Sequence, residues 1–161
     1  MLIRPLTRGD DLHGAGEIVR RAYLDLDGYP HDPHYDEIIA DVSGRIDDTL
    51  VLGAFVSDRL VGCLTYVDSV DNVHAHHHDQ GAASFRYFGI NPEMQGSGVG
   101  EAMVRWVIER ARHDDKQRIL IHTVTMMHAA IHLYERLGFV RVSEQDFYWD
   151  DVKSLAYVLT L

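Results

Sequence analysis

The residues best suited to chemistry lie in one short run, Gln95-Gly96-Ser97-Gly98-Val99-Gly100. Glycine has no Cβ, so backbone N–H groups can converge there on a single ligand. The residues after the run have helical periodicity. A helix N-terminus adds free N–H groups and partial positive charge. The combination suits an anion such as a phosphate or pyrophosphate. A phosphate-binding P-loop would end Gly-Lys-Ser/Thr, but Glu101 and Ala102 follow Gly100. A dinucleotide fingerprint needs a third glycine where Glu101 or Met103 stands.

The spacing present is Gln-x-x-Gly-x-Gly, at Gln95, Gly98 and Gly100. It resembles the acetyl-CoA pyrophosphate loop of the GNAT superfamily of N-acyltransferases. Phe85-Arg86-Tyr87-Phe88-Gly89-Ile90-Asn91-Pro92 looks like that superfamily's fourth strand and its V-x-P step. Ala130-Ile131-His132-Leu133-Tyr134-Glu135-Arg136-Leu137-Gly138-Phe139 matches its A-x-x-L-Y-E-x-L-G-F segment. The resemblance implies acetyl-CoA as co-substrate, with no metal required, and a primary amine of a small molecule or peptide as acceptor. It also implies that Phe88, Ile90, Gln95, Gly96, Ser97, Gly98, Val99, Gly100 and Tyr134 contact the cofactor. The Ile90 backbone amide would hold the oxyanion, and Tyr134 would protonate the departing thiolate. Where many family members carry Asn, seven residues before the tyrosine, this chain has Met127. A polar contact to cofactor is missing there.

A general base is harder to place. Ser84-Phe85-Arg86-Tyr87 contains no carboxylate, where relatives often carry a glutamate. His78, Asp79, Glu93 or a water relay are the candidates. Arg86 could orient a substrate carboxylate. Tyr29 stands with Tyr23 and Tyr35 among Asp25, Asp27, Asp32 and Asp36, a composition suited to a cationic amine. The run His74-Ala75-His76-His77-His78-Asp79 either borders the substrate cleft or binds metal adventitiously. A non-catalytic acyl-CoA-binding or His-loop metal-binding module on the same fold is the competing class of function.

These residues need a scaffold, and the hydrophobic pattern supplies one. Leu2–Leu6 reads as a strand and Gly9–Leu26 as a helix. Asp27–Pro33 reads as a loop and Tyr35–Ile46 as a second helix. Leu50–Val56 and Leu60–Val67 flank Ser57-Asp58-Arg59 as a hairpin. After the polar loop Ser69–Ala82 comes a strand over Ala83–Ile90, where Gly89 predicts a bulge. Val99, Ala102, Met103, Trp106 and Val107 mark one face of a helix. Arg118–Thr125 is apolar on both faces and so predicts a central strand. A helix over Ala130–Leu137 stops at Gly138, and Phe139–Val142 and Ser154–Leu161 close the chain as strands. The fold class is mixed α/β, and the resemblance implies a GNAT-like architecture. That is one twisted sheet of about six to seven strands flanked by about four helices. Its central strands would part in a V between Ile90 and Arg118.

Composition bounds the rest. The 161 residues are 46% hydrophobic and 25% charged, as in soluble globular chains. They are read as one domain, 1–161. The formal charge is −10, and residues 1–50 alone hold 5 basic against 11 acidic side chains. Nucleic acid requires the opposite field. No apolar run approaches the length that spans a bilayer. Cys63 is the only cysteine. A cytoplasmic chain, monomer or homodimer, without nucleic-acid or membrane partners, is the expectation.

Overall fold

The structure is a computed structural model describing residues 1–161. In chain order the strands and helices are β1 (Leu2–Pro5), α1 (Leu12–Leu24), α2 (Pro33–Ala40), β2 (Leu50–Val56), β3 (Arg59–Val67) and β4 (Ala82–Ile90). Then come α3 (Val99–His113), β5 (Arg118–Val124), α4 (His128–Arg136), β6 (Val140–Arg141), β7 (Phe147–Trp149) and β8 (Val152–Thr160). The sheet order is β1-β2-β3-β4-β5-β8-β6, with β7 also paired to β8.

The hairpin, the central position of β5 and the helical face on Val99–Val107 match the sequence reading. Ser57 and Asp58, both with positive φ (49° and 62°), turn β2 directly into β3. The second helix is shorter than Tyr35–Ile46. Asp32 caps it by accepting from His34 N (3.0 Å) and Tyr35 N (3.4 Å), with Pro33 in its first turn. It ends at Ala40 because the Asp41 carboxylate instead accepts from Gly44 N (2.8 Å), closing a local turn. The sheet has 8 strands, one more than the upper expectation. The extra strand is β7, a short aromatic segment that periodicity could not resolve.

Every strand pair is antiparallel except β4 with β5, which the α3 crossover makes parallel. On one face of the sheet, Met103, Val104 and Val107 of α3 pack over Leu64, Phe85 and Ile121. On the other, Ala15 and Val19 of α1 with Ile39 of α2 cover Val51, Cys63 and Tyr87. No helix is long and apolar enough to cross a membrane.

Candidate active site

The glycine run forms the turn into α3. Gly96 and Gly98 have φ of +76° and +86°, which a side chain rarely adopts, and no atom lies within 4 Å of where their Cβ atoms would be. Gly98 is the N-cap of α3 and supplies no side-chain cap. The first helical bond runs from Ala102 N to Gly98 O (3.0 Å), so the amides of Val99, Gly100 and Glu101 have no acceptor in the chain. Free donors, open space and the helix dipole together fit the diphosphate of CoA. Gln95 and Ser97 are exposed on the same turn. Gly100 faces inward: a Cβ there would lie 3.5 Å from Phe88 Cζ and 3.8 Å from Ile90 Cγ1. The loop therefore abuts the end of β4.

Two features of β4 open the sheet. Its pairing with β5 is confined to Ala82↔Arg118 and Ala83↔Ile119, so the strands part toward their C-terminal ends. The register with β3 shifts between Cys63 and Thr65, which face Gly89 and Arg86. Leu64 thus stands opposite both Tyr87 and Phe88, which is a bulge. Its left-handed residue is Tyr87, φ +51°. The bulge is therefore at Tyr87, not at Gly89. Gly89 is glycine because a Cβ would lie 2.7 Å from Val19 Cα and 2.8 Å from Ile18 O, in the backbone of α1. Beyond the bulge, Asn91 N donates to Val61 O (2.8 Å). By antiparallel alternation Gly62 and Ile90 form a non-hydrogen-bonded pair. The Ile90 N–H is turned away from β3 and into the gap.

A cavity of about 350 Å³ lies at the splay and joins the two faces of the sheet. Phe85, Phe88, Ala130 and Tyr134 line it on the α3 face; Arg86, His76, His122 and Trp149 line it on the other. Of the expected acceptor contacts, Tyr29 and Arg86 both line it, and so does Met127. Tyr29 packs edge-on against Tyr23 (5.6 Å) and Trp149 (6.1 Å). Met127 receives the Thr123 hydroxyl on its sulfur (3.4 Å), an apolar wall where an amide was expected. Tyr134 is buried against Phe85 and Phe139, each 5.7 Å between ring centres. Its hydroxyl has no hydrogen-bond partner in the protein, and burial pushes its pKa above the ordinary phenol value.

The expected bases lie elsewhere. Asp79 is held in two bonds by Arg118 (2.7 and 2.8 Å) where β4 and β5 still pair. Glu93 pairs with Arg59 (3.0 Å), and His78 is exposed. None of the three lines the cavity. Three histidines of the run are instead tied down. His74 Nδ1 meets the Tyr87 hydroxyl (3.2 Å), His76 Nε2 accepts from Arg86 (2.5 Å), and His77 Nδ1 accepts from Asp79 N (3.3 Å). His76 and His77 border the cleft. Loss of solvent, then the nearby Arg86 charge, holds His76 down at about 4. Loss of solvent likewise lowers His122. Both are neutral near pH 7. Sequence reasoning missed His122 and Trp149. The signals were present: His122 interrupts an apolar strand, and Phe147-Tyr148-Trp149 is an unassigned aromatic run.

Comparison with known proteins fits this geometry. The family model for acetyltransferases (GNAT) matches residues 16–139. N-acetylaspartate synthetase of Danio rerio is 33% identical over 70 residues, 44% of this chain and 25% of that protein. The match thus spans a quarter of that relative's length. The structure of smu.2055 from Streptococcus mutans UA159 superposes with TM-score 0.73 at 23% identity, covering 99% of both chains. That of yncA from Salmonella typhimurium, solved with acetyl-CoA, superposes at 0.71 with 19% identity, covering 100% of this chain and 94% of its own.

Proposed function

The chain belongs to the acetyltransferase (GNAT) family, and on that premise we propose that it transfers the acetyl group of acetyl-CoA directly to a primary amine bound in the cavity. The observation that carries the reading is the continuity of the glycine turn, the end of β4 and the cavity. Gly100 faces Phe88 and Ile90, and Phe88 and Tyr134 line the opening. A cofactor anchored by its diphosphate on Gly96–Gly100 would run along β4 and end beside the acceptor. Similarity to an N-acetylaspartate synthetase and to a structure solved with acetyl-CoA supports the same chemistry.

Acetyl-CoA supplies an activated thioester carbonyl. The Ile90 N–H, turned into the gap, donates to the carbonyl oxygen as negative charge develops on it. One such donor contributes ~3 kcal/mol to a transition state. The acceptor amine must be neutral to attack. His76 Nε2 and His77 Nδ1 already accept hydrogen bonds, so His122, which donates from Nε2 to Gln145 O and keeps Nδ1 as acceptor, takes the amine proton directly or through water. As the C–N bond forms and the C–S bond breaks, the Tyr134 hydroxyl donates to sulfur. Burial keeps Tyr134 protonated, so its main contribution is a hydrogen bond to the sulfur anion, with full protonation completed by exchange with water.

The test combines calorimetry of CoA binding with thiol release over a panel of primary amines. Micromolar CoA binding and amine-dependent thiol release are expected. Absence of both would overturn the proposal.

A further inference from the structure

The cavity wall on the α1 face of the sheet carries a cation without an acid. Most arginines of this acidic chain are matched to carboxylates, such as Arg4 to Asp10, Arg118 to Asp79 and Arg141 to Asp146. Arg86 has no such partner. Its Nη1 donates to His74 O (3.1 Å) and His76 Nε2 (2.5 Å), and its guanidinium stacks 4.6 Å from the centre of the Tyr87 ring. These contacts fix the group in place. No carboxylate takes Nε or Nη2, the edge that Arg118 uses on Asp79, and the neighbour there is the neutral Tyr35 hydroxyl. A fixed guanidinium with no carboxylate on its two-donor edge in a cavity matches a carboxylate.

A second observation points the same way. His77 and Ser84 line this cavity, are 8% and 6% exposed, and have polar atoms, Nε2 and Oγ, that find no partner. Because His77 Nδ1 accepts from Asp79 N, the unpartnered Nε2 carries the proton. Buried donors without acceptors are unfavourable. A bound anion that accepts from them relieves both. Three nearby carboxylates are engaged elsewhere: Asp32 accepts from the α2 amides, Asp79 from Arg118 and Asp146 from Arg141, while Asp36 of α2 keeps a buried Oδ1 without a partner.

We propose that this wall is a carboxylate subsite and that the acceptor is an amino acid. Its carboxylate sits on Arg86, and its amine points through the splay toward the acetyl group. The inference rests on the acetyltransferase reading above. The aromatic wall of Tyr23, Tyr29 and Trp149 receives the acceptor side chain.

The experiment compares free amino acids with their carboxamides and with the decarboxylated amines. Thiol release gives kcat/KM. Quenching of Trp149 fluorescence in the presence of CoA, with W149F as blank, reads binding without turnover. Free amino acids are expected to exceed both analogue sets by tenfold or more in each measurement. Arg86→Gln should erase that preference, and Arg86→Lys should restore part of it, while CoA affinity stays unchanged in both. Equal or greater kcat/KM for the carboxamides, or an undiminished preference in a folded R86Q, overturns the subsite but leaves the acetyltransferase reading standing. Loss of CoA binding and of thiol release with every amine overturns both.

Discussion

The guanidinium carbon of Arg45 lies 4.4 Å from the centre of the Tyr87 ring. Arg45 is 2% exposed and has no carboxylate partner. It donates instead to Thr65 Oγ1 (3.0 Å) and to the carbonyls of Ile38 (3.1 Å), Ile39 (3.0 Å) and Asp41 (2.9 Å). It thereby fastens the turn after α2 to the underside of the bulge. Tyr87 is left-handed, a conformation that costs a bulky residue ~1–3 kcal/mol and persists only where its surroundings hold it. Arg45 below, Arg86 beside it and His74 at its hydroxyl do the holding. The bulge they maintain turns the Ile90 amide toward the gap.

Removing the support should therefore affect fold and site together. Arg45→Met removes four hydrogen bonds, leaving the Ile39 and Asp41 carbonyls and the Thr65 hydroxyl without that partner, and should lower stability by ~3 kcal/mol. Tyr87→Phe keeps the ring stack and loses only the bond to His74, so it should cost ~1 kcal/mol or less. Denaturant melts of the two variants, with kcat measured well below their midpoints, check the difference. A stable Arg45→Met with wild-type kcat would mean that the bulge holds itself.

The glycines divide into two kinds, and substitution separates them. Gly98→Ala places a Cβ in open space but at φ +86°, so it should cost ~1–2 kcal/mol and weaken CoA binding through the turn. Gly100→Ala meets only ordinary contacts at 3.5–3.8 Å and gains helix propensity. It should leave stability near wild type. Gly89→Ala drives a methyl into the α1 backbone and should destabilise by ~1–3 kcal/mol or more, with no direct effect on the cofactor loop. Thermal melts paired with CoA calorimetry on the three variants read each effect separately.

The sequence made the strand–glycine turn–helix unit and the Tyr134 helix legible because both are local. Fixed spacing at Gln95, Gly98 and Gly100, and the apolar stripe Ala130–Leu133–Leu137, need no knowledge of distant residues. Gly89 shows the limit. A glycine in a strand means either a bulge or a close neighbour, and only the packing of α1 on β4 decides for the neighbour. The bulge itself uses Tyr87, which no propensity favours there, because its stabilising partner Arg45 is 42 positions away in sequence. The three side chains named as base candidates lie outside the cavity for the same reason. Asp79 lies near β4 in sequence, but its carboxylate is taken by Arg118. His122 enters the cleft only because β5 parts from β4.

Stability should fall in mildly acidic solution before the arginine-held carboxylates titrate. His74, His76, His77 and His122 are all held below the ordinary imidazole range, with loss of solvent the leading cause. Below pH ~6.5 the unfolded chain therefore binds more protons than the folded one. The contribution of these groups is present above that pH and is lost as pH falls toward about 4, the His76 value. Carboxylates held low by arginine, such as Asp10 and Asp146, lose theirs only at lower pH. Tm against pH should show a decline through this window, and His76→Asn with His122→Asn should flatten it. A Tm independent of pH between 6.5 and 4.5 would refute the neutral imidazoles.

Tyr134 separates a residue of the reaction from a residue of the core. Its ring packs on Phe85 and Phe139, but its hydroxyl has no partner in the protein and lies at the cavity. Tyr134→Phe retains the ring and removes only that hydroxyl. Stability should change by less than ~1 kcal/mol, since no internal hydrogen bond is lost. CoA affinity should be nearly unchanged. If the hydroxyl stabilises the sulfur anion as the C–S bond breaks, kcat should fall by ~10²-fold, within the range for proton donors in a transition state. KM for both substrates should move little, because the interaction exists only as charge develops on sulfur. Leaving-group chemistry gives a second reading. An acetyl thioester of a more acidic thiol needs less help at sulfur, so the variant should lose less rate with it than with acetyl-CoA. Steady-state kinetics of both proteins with both donors make the comparison. Equal activity of a normally stable Tyr134→Phe with acetyl-CoA would leave water alone to meet the departing thiolate and return Tyr134 to the core.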